Sequence, residues 1–241
     1  MRIGIVLIVK NLGAWGSGKE EFEADTLTTR TTLPALGESV VTIPGSYMKG
    51  LLRGWAYKIA PLLKKTGVIK GDTNEECYVG RTCGKCIVCR VFGSRGKEFS
   101  PLHVSNFYPI VTTEKAHEIF AKSIELALME KDYWASPPTN YVTRVRISDI
   151  DGRAAEGGLY TIEHVSPEVP FYGEITLYES LLKDVDPLEA YRLVACTLGQ
   201  LNYSYVGRRT RCRIKVVDVE DRRVLKDEIV RMILVNLGVK I

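Results

Sequence analysis

The stretch Ile43-Pro44-Gly45-Ser46-Tyr47-Met48-Lys49-Gly50-Leu51-Leu52-Arg53 closes a long polar segment and opens an apolar pattern of helical period. No other stretch limits the fold as much, because the chain before it must be delivered to one helix start. Pro44 and Gly45 keep the entering chain out of the helix. Ser46 is the expected N-cap, since its hydroxyl can accept from a free first-turn amide. Met48, Leu52, Trp55, Ile59 and Leu63 then fall on one apolar stripe, and Gly67 marks the expected stop. Lys49 and Arg53 are four apart and share a different face. Free amides beside two cations suit a phosphate. An ordinary capped helix with solvated cations satisfies the same pattern.

The rest of the chain supplies strands and a second helix around this one. Residues 2–10 alternate Ile3, Ile5, Leu7 and Val9 with Gly4, Val6 and Ile8, so a strand covered on both faces is expected. Residues 11–42 are expected to be a long loop, of the kind that is usually functional or disordered. Residues 68–98 form an irregular insertion. A strand broken at Pro109 is expected over 101–112, a short helix over 114–121 and a hairpin over 139–165 that turns at Asp151-Gly152. Another strand covers 170–179. Asp186-Pro187-Leu188-Glu189 has the form of a capping box with Pro at the first helical position. Its helix carries a stripe of Leu188, Tyr191, Val194, Leu198 and Leu201. A last core strand spans 213–219. A C-terminal helix over 224–237 is expected to turn Leu225, Ile229, Met232 and Ile233 inward. Without insertions the order is β-α-β-β-α-β. The expected class is α+β, a modified ferredoxin-like (RRM-like) domain over 1–241 with a Cys-rich insertion at 68–98 and a hairpin insertion at 123–165.

Cys77-x5-Cys83-x2-Cys86-x2-Cys89 places four soft ligands within thirteen residues. This density suits a tetrahedral structural Zn2+ with Zn–S bonds of about 2.3 Å. Gly80 and Gly84 let the chain wrap an ion, and the segment has too few apolar residues to fold without one. An iron–sulfur cluster competes, because Cys-x2-Cys-x2-Cys matches ferredoxins superficially, but no fourth Cys followed by Pro is present. Unligated thiols are the third alternative. With four protein ligands a zinc site is closed and not catalytic. His103 could replace one Cys as ligand.

No apolar run approaches the roughly 20 residues that span a bilayer, so no membrane partner is expected. The apolar stretch within Met1 to Lys10 is too short for a signal h-region and lacks a small-residue cleavage site, so a cytoplasmic location is expected, where six cysteines are read as metal ligands before disulfides. The formal net charge of +4 permits a nucleic-acid partner without demanding one. Its distribution says more: Gly207-Arg208-Arg209-Thr210-Arg211-Cys212-Arg213-Ile214-Lys215 packs five cations into nine residues. No Walker loop or dinucleotide fingerprint is present. His103, His117 and His164 are the only neutral-pH bases, without triad spacing, and His164 sits in a strand where a structural role is expected. The loop over 11–42 holds Glu20, Glu21, Glu23 and Asp25, followed by Arg30. Carboxylates there could hold a divalent metal against a scissile phosphate, or form a solvated acidic loop.

Ile43-Pro44-Gly45-Ser46-x-x-Lys49-Gly50-x-x-Arg53 resembles the signature of the RAMP superfamily of CRISPR-associated proteins. It is most similar to the backbone subunits of type III (Csm/Cmr-like) effector complexes. Further landmarks follow in the family's order. Cys89-Arg90-Val91-Phe92-Gly93 is similar to its Cys-x-x-Phe-Gly element. Thr143 to Ile147 through Ala154-Ala155 resembles its thumb hairpin, and Val169 to Ile175 the strand after it. Leu198-Gly199 with Tyr205 through Arg213 resembles its Gly-rich basic loop. The resemblance implies a subunit that stacks along a CRISPR guide RNA with other RAMP subunits and further copies of itself. It implies guide contacts from Ser46, Lys49, Arg53, Arg208, Arg209 and Arg211, and thumb contacts from Arg144, Arg146 and Ile147. It also implies cleavage of target RNA by Asp25 with a divalent cation (Mg2+ or Mn2+). The chain departs from the family twice: Ala24 precedes Asp25 where Gly-Gly is frequent, and Cys212 stands where a second Gly is usual. A structural, non-catalytic RNA-binding subunit is the alternative. An endonuclease that processes precursor RNA fits less well, because such enzymes often rely on His and the three His are scattered.

Overall fold

A computed structural model of the protein describes residues 1–16, 25–94, 99–148, 152–207 and 209–240. Strand β1 (Arg2–Val9) is buried along nearly its whole length, as an unbroken apolar run requires. The segment after it is not featureless. It carries a hairpin of β2 (Arg30–Leu33) and β3 (Glu38–Val41), with Arg30 opposite Val41 and Leu33 opposite Glu38. Gly37, at φ +67°, lies in its turn. Only Leu33, Val40 and Val41 point into the core from these strands, too few to make the alternation visible.

Helix α1 (Gly45–Lys65) begins one residue before the expected start. Pro44 takes the N-cap position and Ser46 makes no cap bond. The amide of Gly45 donates instead to Asn106 Oδ1 at 2.9 Å, a cap delivered from a distant part of the chain. The fully buried stripe is Met48, Leu52, Ala56 and Ala60. It differs from the expected one because small residues take the closest approach, while Trp55 and Leu63 pack at the flank, partly buried. The end follows expectation: Gly67 at φ +76° donates to Lys64 O at 3.1 Å, and Val68 to Leu63 O at 2.9 Å.

The insertion contains α2 (Ile87–Phe92). After it come β4 (Leu102–Val104), β5 (Tyr108–Pro109), α3 (Lys115–Lys122) and α4 (Ile124–Ala127). The hairpin is β6 (Thr139–Ile147) and β7 (Ala154–Val165), with Asp151 of its expected turn outside the described residues. Then follow β8 (Pro170–Leu177), α5 (Pro187–Leu201), β9 (Cys212–Val219) and α6 (Glu228–Asn236). The main sheet has the order β4-β8-β1-β9, with β5 also on β8, and every pairing is antiparallel. The architecture is thus mixed α+β with antiparallel sheets.

The pleat of β1 divides the core. Ile3, Ile5, Leu7 and Val9 pack under α1 and α5. Val6 and Ile8 face the other way, against Ile119, Phe120, Tyr133 and Trp134. Residues 124–134 therefore belong to the second core layer. Asp186 caps α5 through Leu188 N at 2.9 Å, but Glu189 does not close a capping box. Its carboxylate accepts from the amides of Lys70 and Gly71 at 2.9 and 2.8 Å, stapling α5 to the start of the insertion. Helix α6 starts only at Glu228, capped by Asp227 through Val230 N at 3.0 Å. This start turns Val230 and Leu234 inward and leaves Met232 57% exposed, contrary to its expected core position. Among the described residues, no helix is long and apolar enough to cross a membrane.

Candidate nucleic-acid interface

Three segments meet where β1 ends: the chain leaving it, the start of α1, and the loop that enters β9. Asn11 holds the loop with both ends of its carboxamide, donating to Arg209 O and accepting from Arg211 N, each at 2.7 Å. Ala14 N donates to Thr210 Oγ1 at 3.2 Å, and Trp15 Nε1 to Val206 O at 2.5 Å. A Cβ on Gly207 would lie 2.9 Å from Ala14 O, so only glycine allows this approach. Arg209 adopts φ +61°. The loop's backbone groups thus face the fold, while Arg209 and Arg211 are exposed. Arg211 sits 5.3 Å over the ring of Tyr205. Arg208 lies outside the described residues. Cys212, where the family has a glycine, is 4% exposed and pairs with Val9. It belongs to the strand, and the close approach falls to Gly207.

The start of α1 borders the same patch. Burial, with Cys212 nearby, raises the pKa of Tyr47. Ser46 is exposed, and with Ala14, Trp15, Gly16, Pro44 and Tyr47 it lines a cleft of about 450 Å³. Lys49 is half-buried. Burial, and then the neighbouring Arg53 charge, lower its pKa to about 8. Arg53 turns toward the Cys-rich insertion, where its Nη2 donates to Val79 O at 3.1 Å. Its Nε is buried without a partner.

Asp25 lies elsewhere, at the hairpin. Its Oδ2 accepts from Thr161 N at 2.5 Å. Thr26 N donates to Thr161 O at 3.2 Å and Thr26 O accepts from Glu163 N at 3.0 Å, so this chain adds alongside β7. Glu20, Glu21 and Glu23 lie outside the described residues. In the hairpin, Arg144 stands opposite Tyr160, Val145 opposite Leu159 and Ile147 opposite Ala154. Arg146 is exposed and Arg144 half-buried. Ile147 is 51% and Leu159 70% exposed, apolar side chains left open to solvent among the described residues. His164 is buried at the hairpin base. Burial, with Arg144 nearby, lowers its pKa, which keeps the imidazole neutral.

The four thiols of Cys77, Cys83, Cys86 and Cys89 come together, with all Sγ atoms within 4.8 Å of one another. A tetrahedron of Zn–S bonds of about 2.3 Å has edges of about 3.8 Å, so the donors fit a metal such as zinc. Cys83 Sγ accepts from the amides of Lys85 and Cys86 at 3.4 and 3.3 Å, and Cys77 Sγ from Cys83 N at 3.3 Å. Burial opposes ionisation of Cys83, but these amides outweigh it and bring the thiol down to about 6. Tyr57 OH lies 3.2 Å from Cys89 Sγ and orients it from outside the cluster. His103 stands on β4 with its side chain exposed and is not in the group.

A family model described as the RAMP superfamily matches residues 30–212. The chain belongs to the RAMP superfamily. The match opens at Arg30 and closes at Cys212, so it spans α1, the thiol cluster, the hairpin and the basic loop. Asp25 lies upstream of it. The RAMP chain is similar in fold to a chain in the cryo-EM structure of type III-B Cmr-beta in the apo state, at 14% identity and TM-score 0.55, covering 90% of this chain and 97% of that one. It is similar to a chain of type III-B Cmr-beta bound to cognate target RNA, at 13% identity and TM-score 0.54, covering 89% and 97%. No curated protein sequence matches it. The residues that shape the patch without carrying charge, Asn11, Trp15, Asn106 and Thr210, were not anticipated. Trp15, an aromatic flanked by Gly13 and Gly16 in a polar loop, is the one signal that could have pointed to them.

Proposed function

We propose that this RAMP protein is a backbone subunit of a type III CRISPR effector complex that binds guide RNA and cuts target RNA through Asp25 with Mg2+ or Mn2+. The observation that carries the reading is the meeting of the α1 start and the cationic loop in one patch. First-turn amides with Ser46 and Lys49 lie on one side, and Arg209 and Arg211 on the other. These are the ligands that hold a phosphate backbone without reading its sequence. Arg208 joins them by its place in the loop, and Arg53 by exchanging its bond to Val79 O for the guide. The fold likeness to type III-B Cmr-beta chains, one in a structure with target RNA, supports the same assignment.

The sheet order β4-β8-β1-β9 with α1 and α5 on one face supports a modified ferredoxin-like domain over 1–241. The β6–β7 hairpin is then its thumb, with Arg144, Arg146 and Ile147 against the RNA. The four thiolates hold a structural Zn2+. The partners are guide RNA, target RNA, other RAMP subunits and further copies of this chain, in the cytoplasm.

One observation favours a non-catalytic subunit of the same kind: Thr161 N already occupies Asp25 Oδ2. Asp25→Asn separates the two readings. In a reconstituted complex with guide, target and Mg2+ or Mn2+, it should assemble normally and lose cleavage. Full cleavage by that variant would make Asp25 a docking residue only.

A further inference from the structure

A second cationic surface lies past the basic loop. Arg211, Arg213 and Lys215 are exposed and alternate with buried Cys212, Ile214 and Val216. The pleat therefore puts the three cations on one face, with successive ones about 6.8 Å apart. Among the described residues none of the three forms an ion pair, whereas Arg2, Arg30 and Arg192 all do. Two carboxylates are near enough to be felt, Glu168 by Arg213 and Glu114 by Lys215. Glu168 is already held by Lys10 at 2.8 Å. A row of like charges with so little compensation repels itself unless an anion lies across it.

The ground around this row is concave. One cleft of about 470 Å³ is lined by Lys10, Tyr203, Arg211 and Arg213. A larger one of about 670 Å³ is lined by Arg213, Lys215, Lys240 and His117. Asn202 and Arg213 line both, so the two clefts adjoin. Tyr203, 86% exposed, lines the smaller cleft, and Tyr205, 52% exposed, lies two residues on in the loop; both offer faces on which bases can stack.

Strand β9 is an edge strand, but its edge is not open to an added strand. Ile214 N donates to Asn202 Oδ1 and Val216 N to Leu237 O, both at 2.8 Å. What remains on offer is charge and aromatic surface, which suits a nucleic-acid strand better than a β-strand of a protein partner.

We propose that Arg211, Arg213 and Lys215, with Tyr203, form a track for single-stranded RNA that runs from the basic loop over β9 into the cleft at Lys240. The track rests on the RNA-binding reading above, shares Arg211 with it, and extends it to Arg213, Lys215 and Tyr203, which that reading does not use. Fluorescence anisotropy of a labelled oligouridylate with the full chain, across a KCl series, tests it. Replacing Arg213 and Lys215 together with Ala should weaken binding about tenfold and reduce the logarithmic salt slope by about 1.4, or 0.7 for each lost phosphate contact. Tyr203→Ala should weaken binding at least about fivefold with the slope unchanged, because stacking releases no counterions. If Arg209→Ala with Arg211→Ala weakens binding while the β9 pair changes nothing, the track is wrong and the loop reading stands. If neither pair matters, both fall. If the β9 pair spares RNA but abolishes binding of a polyglutamate peptide, the surface belongs to an acidic protein and the track is again wrong. Because the replaced side chains are exposed, thermal melts of all variants should match the parent.

Discussion

Glu163 of β7 and Arg30 of β2 form an ion pair although the Glu163 side chain is only 1% exposed. Both its oxygens are used: Arg30 takes Oε1, while Thr28 donates to Oε2 from its amide at 2.9 Å and its hydroxyl at 2.6 Å. This carboxylate fastens the chain running from Asp25 to β2 onto the hairpin. Burial opposes its ionisation, but the Thr28 and Arg30 bonds prevail and hold its pKa below the ordinary carboxylate range. A depressed folded-state pKa contributes stability above the unfolded pKa of about 4.3 and loses it as pH falls through the folded value. Glu163→Gln should therefore cost about 2 kcal/mol at neutral pH and flatten the acid limb of stability. Urea melts between about pH 3 and 7 measure both. An acid limb as steep as the parent's would assign the acid sensitivity to other groups.

RNA binding should be sensitive to mildly alkaline pH if phosphate is held, as proposed, by Lys49. Burial and the Arg53 charge leave it half-neutral at about pH 8, and a bound phosphate favours its charged form. Above that pH, binding must be accompanied by proton uptake, so affinity should fall as pH rises from about 7 to 9, by up to roughly tenfold. Lys49→Arg, which stays cationic, should remove this dependence while keeping affinity at pH 7. An identical pH profile in Lys49→Arg and parent would mean that Lys49 does not reach phosphate.

Local signals in the chain were readable, and signals carried across it were not. The two-faced strand β1, the Asp186–Pro187 start of α5 and the Gly67 stop of α1 each depend on neighbours in sequence, and each stands as expected. The departures share a cause. Asn106 caps α1 from 61 residues away, Glu189 turns from its own helix to an amide 119 residues distant, and Glu163 meets Arg30 across 133. No window along the chain contains such pairs. The α1 stripe was misplaced because Ala56 and Ala60 count little in a hydropathy pattern yet permit the closest packing. In the candidate site, the run of cations was plain in sequence. The residues that aim them, Asn11 and Thr210, are ordinary polar residues until the fold brings them under the loop.

The thiol cluster should bind one metal ion per chain, measurable by elemental analysis of the purified protein. Cys86→Ala should abolish binding and cost about 3 kcal/mol or more, since it removes one of four ligands, and with it the folding energy a bound metal supplies, at a buried position beside Ile87 and Val88. Tyr57→Phe removes only the hydroxyl beside Cys89 Sγ. It should weaken retention against a chelator about tenfold without changing stoichiometry, the usual scale for a partner that orients a ligand. Iron with visible absorption would replace zinc by an iron–sulfur cluster, and a metal-free protein of unchanged stability would remove the metal site.

Gly45 tests how strictly the α1 start is seated. A Cβ built there would stand 2.2 Å from Val104 O and 2.5 Å from Ser105 O, both backbone atoms. No side chain can rotate to relieve such a contact. Gly45→Ala must therefore push the first turn of α1 away from the chain that supplies its cap, Asn106 Oδ1. Helix propensity alone would favour Ala by up to about 1 kcal/mol. The clash and the lost cap outweigh it, so the variant should be destabilised by about 2 to 3 kcal/mol. Gly50→Ala is the control: it lies one turn further along the same helix with open space at its Cβ, and it should be neutral or slightly stabilising. If the first turn anchors RNA, Gly45→Ala should also weaken oligonucleotide binding at temperatures where it stays folded, while Gly50→Ala should not. Equal melts for the two variants would show that the helix start is free to shift.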